Sequence, residues 1–127
     1  MDNPPRTVAV VEDDPSVLRS VERLLNAHGY VTEGYDSAER FLQSQSIGTL
    51  GCVVLDIHLG AMSGIQLRQH LTDTGCRVPV IFITAVDDDG LEEQALAAGC
   101  LAYLRKPFAA KLLLSSVAKA TAGQADL

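Results

Sequence analysis

The chain has 127 residues, 47% of them apolar and 20% charged, with a formal net charge of −6. That length suits one domain, which can bury roughly two-thirds of the surface its unfolded chain exposes without a disulfide or structural metal. The acidic balance excludes non-specific nucleic-acid binding, which needs a basic stripe. No run approaches the ~18 apolar residues of a membrane span.

Four short apolar runs read as strands buried on both faces, hence as a parallel sheet covered by helices. The first, β1, is Val8–Val11. Asp14 then caps a helix, α1, with Pro15 at its first position. Val17, Val21, Leu24, Leu25 and His28 recur along it at helical spacing until Gly29 ends it. Val31–Tyr35 mixes polar and apolar residues, as an edge strand β2 would. Ser37 caps α2, which buries Phe41 and Leu42. Strand β3, Cys52–Leu55, runs into Asp56, and α3 covers about Ile65–Leu71. Strand β4 is Val80–Ile83. Helix α4, about Asp88–Ala98, has a thin apolar face of Leu91, Ala95, Leu96 and Ala98 and stops at Gly99. Strand β5 is Leu101–Leu104. Helix α5 carries Leu112, Leu113, Leu114 and Val117; the three leucines cannot all face the core, so one is expected on the surface. Five β-α units of this length imply an α/β sandwich with right-handed crossovers. The expected domain is 1–127, with a core of about 7–119, an N-terminal extension at 1–6 and a tail or linker start at 120–127.

Met1–Arg6 holds two prolines and no apolar run, so no signal peptide is expected. Cys52, Cys76 and Cys100 are odd in number and form no CxxC pair, and they read as free thiols in a reducing cytoplasm.

In a parallel sheet, ligands bind beyond the carboxyl ends of the strands. The residues following the apolar runs are Glu12-Asp13-Asp14, Asp56, Thr84-Ala85 and Arg105-Lys106-Pro107. The acids Glu12, Asp13 and Asp56, brought together, repel one another; either one keeps a proton or a cation sits between them. Oxygen ligands with access to water suit Mg²⁺. Lys106 adds a compact positive charge and Thr84 a hydroxyl, so a carboxylate there is equipped to attack phosphorus. Asp14 reads as a helix cap rather than a metal ligand. The acidic run Asp87-Asp88-Asp89 with Glu92 and Glu93 reads as a solvated first turn of α4. His28 and His70 read as helix-surface or boundary residues.

From about Thr7 to Lys119 the sequence resembles a receiver domain of two-component response regulators, closest in flavour to receivers of the FixJ and NarL type. The matching pieces are Val10-Val11-Glu12-Asp13-Asp14, Leu55-Asp56-Ile57, Met62-Ser63-Gly64, Ile83-Thr84-Ala85 and Lys106-Pro107-Phe108. The resemblance implies a three-layer α/β/α sandwich whose five-stranded parallel sheet has the order 2-1-3-4-5, as in flavodoxin-like and CheY-like folds. It implies that Asp56 accepts a phosphoryl group from a sensor histidine kinase. Mg²⁺ or Mn²⁺ would be held by Asp13, Asp56 and the backbone carbonyl of His58, with Glu12 nearby and acting through water. Thr84 and Lys106 would contact the phosphoryl group, and Thr84 and Tyr103 would form the switch. The signalling surface would be α4-β5-α5, offered to an output domain, a downstream protein or a second copy in a homodimer. Such a domain acts only on its own aspartyl phosphate and is not a classical enzyme; no nucleic acid or membrane is contacted directly. The Lys106-Pro107 bond would be cis, and Lys106 would pair with Asp56 at rest.

Leu59-Gly60 stands where many relatives have Met-Pro, which loosens the loop. His58 and Val86 occupy the positions that tune phosphoryl lifetime in the family, and slow self-dephosphorylation is expected. Three alternatives are weaker. A flavin module would need a glycine- and hydroxyl-rich loop in place of Glu12-Asp13-Asp14. A dehalogenase-like phosphatase would need a second Asp where His58 stands. A degenerate receiver would have lost Asp13, Asp56, Thr84 or Lys106.

Overall fold

The structure is a computed structural model and describes residues 7–44, 49–85 and 89–125, with only the backbone given for Asp89 and 123–125. The readings placed on residues 1–6, Val86, Asp87, Asp88 and the Asp89 side chain lie outside the described residues.

Five parallel strands form one sheet in the order β2-β1-β3-β4-β5. They are β1 (Thr7–Val11), β2 (Val31–Tyr35), β3 (Cys52–Asp56), β4 (Val80–Thr84) and β5 (Ala102–Arg105). Every residue of β3 and β4 is buried, as two covered faces require, whereas β2 at the edge has none fully buried. The alternation of strand side chains sorts the core into two. Ala9, Val11, Val53, Leu55 and Phe82 pack with Ala38, Phe41, Leu67, Leu71 and Ala95 of the helices on one face. Val8, Val10, Cys52, Val54, Ile81 and Ile83 pack with Val21, Leu25, Leu113, Val117 and Ala120 on the other. Helices α2 (Ala38–Leu42), α3 (Gly64–Asp73) and α4 (Asp89–Ala97) thus cover one side; α1 (Pro15–Ala27) and α5 (Ala110–Ala125) cover the other.

The helix starts follow capping chemistry. The Asp14 carboxylate accepts from the backbone N–H groups of Ser16 at 3.0 Å and Val17 at 3.4 Å, and Pro15 opens α1. Ser37 caps α2 by accepting from the Arg40 N–H at 3.1 Å. At α3 the Ser63 hydroxyl accepts from the Gln66 N–H at 3.1 Å while the Gln66 side chain accepts from the Ser63 N–H at 2.9 Å, a reciprocal box.

The structure departs from the sequence expectations in four places. Asp56 and Thr84 are the last residues of their strands rather than the first of loops. Leu96 is 55% exposed and does not belong to the buried face of α4. Leu91 and Ala95, four residues apart, share that face, and the next residue is turned some 100° away. Strand β5 begins at Ala102, one residue after Leu101, which is 45% exposed; His28, at the end of α1, lies on the surface as expected, its ring nitrogen 3.0 Å from the Leu24 carbonyl. Helix α5 continues to Ala125, past the expected start of the tail, because Ala120 and Thr121 extend the buried stripe of Leu113 and Val117. The Thr121 hydroxyl, buried there, donates to the Val117 carbonyl at 3.1 Å. Of the three consecutive leucines, Leu113 is buried and Leu112 is 54% exposed.

Cys52, Cys76 and Cys100 are free thiols, and burial pushes the Cys52 thiol up to about 12. The Lys106-Pro107 peptide is cis. No helix among the described residues is long and apolar enough to cross a membrane.

Candidate functional site

The register of the sheet brings distant segments to one rim. Strand β1 delivers Glu12 as its chain leaves the sheet, with the Glu12 N–H donating to the Tyr35 carbonyl at 2.9 Å. Asp56 is paired with Ile83, so Thr84 stands one residue further along the adjacent strand. Thr84 in turn is paired with Arg105, and its carbonyl accepts from the Lys106 N–H at 2.7 Å. Lys106 is thereby set at the same rim as the acids. Tyr103, paired with Phe82, is half-buried against the core on the α3 and α4 side.

Glu12, Asp13 and Asp56 each offer a carboxylate oxygen, all within 4.8 Å of one another. Glu12 is 1% and Asp56 4% exposed, whereas Asp13 is open to water. The Lys106 ammonium lies 2.6 Å from Glu12 Oε1 and 3.3 Å from Asp56 Oδ2. The other Glu12 oxygen accepts from the Asp14 N–H at 3.1 Å, and Asp56 Oδ1 accepts from the His58 N–H at 3.0 Å. The expected Lys106–Asp56 pair is therefore present, but the closer partner of the lysine is Glu12. Glu12 and Asp56 each accept one backbone N–H, and Glu12, the more deeply buried, has the greater need of a counter-charge.

The trio is electrostatically crowded. Burial, then the Asp56 carboxyl beside it, holds the Glu12 carboxyl above its ordinary range against the opposing pull of Lys106. Desolvation and the neighbouring Glu12 raise Asp13 as well. Burial alone would lower Lys106, but the hydrogen bond it donates to Glu12 and the charges of Asp56 and Glu12 outweigh it and hold the ammonium above its usual value. A cation among three hard oxygen donors, one of them wet, relieves this repulsion, and that donor set fits Mg²⁺.

Carboxyls raised in the folded state contribute stability that is complete below their unfolded values and is lost as pH climbs through the raised ones. The metal-free protein should therefore lose stability from this trio as pH rises out of the acid range, and Mg²⁺ should restore it at neutral pH. Asp13 is exposed, so water screens most of its repulsion, and Asp13→Asn is expected to melt only slightly higher than wild type in EDTA. It should also respond less to Mg²⁺. Thermal melts in EDTA and in Mg²⁺ check both; a variant that melts lower in EDTA would contradict the crowding.

Sequence reading named Glu12, Asp13, Asp56, Thr84 and Lys106, and the fold brings all five to one rim. It did not name the Ser63-Gln66 box that anchors α3 beside Asp56. The signal was available as Ser-x-x-Gln ahead of an apolar stripe.

A 2-1-3-4-5 parallel sheet with an acid trio and a lysine at its carboxyl rim is the architecture of CheY-like receivers. The chain belongs to the response regulator receiver domain family, whose model matches residues 8–118. It is 39% identical over 116 residues to the transcriptional regulatory protein TdiR of Thauera aromatica, covering 91% of this chain and 51% of that protein. It is 30% identical over 125 residues to the transcriptional regulatory protein FixJ of Rhizobium meliloti, covering 95% of this chain and 61% of that one. Among solved structures, the response regulator StyR superposes with a TM-score of 0.89 at 36% identity, over 98% of this chain and 62% of that chain. The chain spans about half the length of the first relatives it matches, 51%, 50% and 48% of three of them.

Proposed function

We propose that this chain is a phospho-acceptor receiver that takes a phosphoryl group from a sensor histidine kinase onto Asp56. The observation that carries the reading is the meeting of the Glu12, Asp13 and Asp56 oxygens within 4.8 Å beneath a lysine that touches two of them. An Asp56 oxygen attacks phosphorus, the O–P bond to Asp56 forms, and the bond from phosphorus to the donor's leaving group breaks. Asp13, Asp56, the His58 carbonyl and, through water, Glu12 would hold Mg²⁺ or Mn²⁺, which would neutralise charge on the transferring oxygens. Lys106 turns from the carboxylates to a phosphoryl oxygen, and the Thr84 hydroxyl donates to another. Tyr103 follows Thr84 and alters the α4-β5-α5 surface. Leu96, Leu101 and Leu112, 55%, 45% and 54% exposed, give that surface an apolar footing for an output domain, a downstream protein or a second copy. The domain turns over only its own phosphate, and its kinase partner places the reaction in the cytoplasm.

Intact-mass measurement after acetyl phosphate and Mg²⁺ tests the reading. One added phosphoryl group is expected, and none when EDTA precedes the donor. A wild-type mass that never changes overturns it. His58, exposed beside the acceptor, supports the reading of a long-lived phosphate. His58→Asn is expected to lose its phosphoryl group severalfold faster; equal decay would remove that role from the imidazole.

A further inference from the structure

We infer that Gly64 is a positioning residue for Asp56: its missing side chain sets where the acceptor carboxylate and the backbone after it stand. The inference rests on the reading of Asp56 as the phospho-acceptor.

Gly64 is buried at the first position of α3. A Cβ there would stand 2.4 Å from the Asp56 carbonyl oxygen, 2.9 Å from the Ile57 Cα and 3.0 Å from the Asp56 carbonyl carbon. All three are backbone atoms of the acceptor strand's end and cannot swing aside. The contrast with Gly34 is instructive. There the three atoms nearest a Cβ would all belong to the Glu22 carboxylate, at 2.8–2.9 Å, the far end of a flexible side chain. Backbone conformation does not explain the glycine at 64 either, since the positive-φ glycines are Gly29, Gly60, Gly75 and Gly99. Space alone requires it.

The two sides of this close approach are both tied down. The Gly64 N–H donates to the Ile57 carbonyl at 2.8 Å, and the Ile57 N–H donates to the Ile83 carbonyl of β4 at 3.1 Å. The Ser63-Gln66 box holds the first turn of α3. One residue on, the His58 N–H donates to the Asp56 carboxylate at 3.0 Å and fixes its rotation. Helix start, acceptor and loop therefore form one clamp with Gly64 at its pinch point. A methyl group there must drive the helix start and the strand end apart by at least about 0.6 Å before reaching 3.0 Å, a separation below which Cβ atoms are essentially never found. That displacement falls on the residues that present the nucleophile. Misplacement on this scale slows a positioned reaction by roughly tenfold to a hundredfold.

The test compares wild type, Gly64→Ala and Leu67→Ala. Leu67 is buried one turn along the same helix, so its truncation loosens α3 without adding an atom at the pinch. Initial rates of phosphoryl uptake from acetyl phosphate are measured at saturating Mg²⁺, at a temperature where circular dichroism reports each variant folded. Gly64→Ala is expected to be slowed roughly tenfold to a hundredfold, and Leu67→Ala to stay near wild type. In metal-free protein the His58 amide resonance should shift in Gly64→Ala and not in Leu67→Ala. Equal rates for Gly64→Ala and wild type overturn the inference, as does equal slowing in both variants. If wild type takes no phosphoryl group, the acceptor reading fails instead, and the His58 resonance alone decides whether Gly64 positions Asp56. If Gly64→Ala does not fold, Ser63→Ala, which frees the first turn of α3, decides: severalfold slowing supports the clamp and an unchanged rate overturns it.

Discussion

Asp56→Ala is expected to take up no phosphoryl group from acetyl phosphate and Mg²⁺ while keeping its fold. The chemistry and the architecture depend on different atoms of this residue. Its backbone closes β3 against β4 through pairing with Ile83, and alanine preserves that. Its carboxylate accepts from the His58 N–H and the Lys106 ammonium. Without it, the exposed His58 end of the loop finds water, and Lys106 keeps Glu12 at 2.6 Å. Truncation also removes one of three crowded negative charges, which offsets part of the lost packing. The net change in stability should stay within about 1 kcal/mol. Intact mass and a thermal melt on the same sample read both halves. A variant that still gains one phosphoryl group would move the acceptor to another carboxyl.

Lys106→Ala should do the reverse and damage stability first. The lysine is the described counter-charge for Glu12, whose side chain is 1% exposed, and it also contacts Asp56 at 5%. Its own side chain is 18% exposed, so the pair is far from a surface ion pair. Removing one partner of such a pair leaves an uncompensated buried charge and costs about 3 kcal/mol. For a domain of this size that lowers the melting temperature by roughly 10 °C. The sign of the pH dependence is fixed by Glu12. Its carboxyl is already held above the ordinary range by burial and Asp56. Without the lysine it rises further, so the deficit is smallest in acid and grows as pH climbs through the raised value. Mg²⁺ should recover part of the loss by supplying positive charge at the same place, though not the contact to the phosphoryl group. Metal-free melts at neutral pH within about 2 °C of wild type would show that the Lys106–Glu12 contact carries little weight.

Much of this molecule is readable along the chain because burial on two faces leaves an unbroken signature. Val8–Val11, Cys52–Leu55 and Val80–Ile83 each lie inside an observed strand. Asp14, Pro15 and Ser37 cap or open helices as their side-chain chemistry requires. The five rim residues could be gathered because strand ends in a parallel sheet share one edge. The order of the strands came from family resemblance, since apolar periodicity carries no information on which run lies beside which. Leu96 was misplaced because α4 has so few apolar residues that its stripe admits more than one phase. The end of α5 was missed because Ala120 and Thr121 are too small and mixed in character to announce a buried stripe. The preference of Lys106 for Glu12, and the pinch at Gly64, depend on distances of a few tenths of an ångström between segments far apart in sequence.

The alternation that divides the core also aims the proposed acceptor. In β3, Cys52 and Val54 belong to one apolar layer and Val53 and Leu55 to the other. Asp56 is the next step of that count, at the last position before the chain leaves the sheet. Threading the strand one residue out of step would bury the wrong set of side chains and, by the same stroke, swing the carboxylate away from Glu12 and Lys106. On the proposed reading, a misthreaded copy is thus mute as well as unstable.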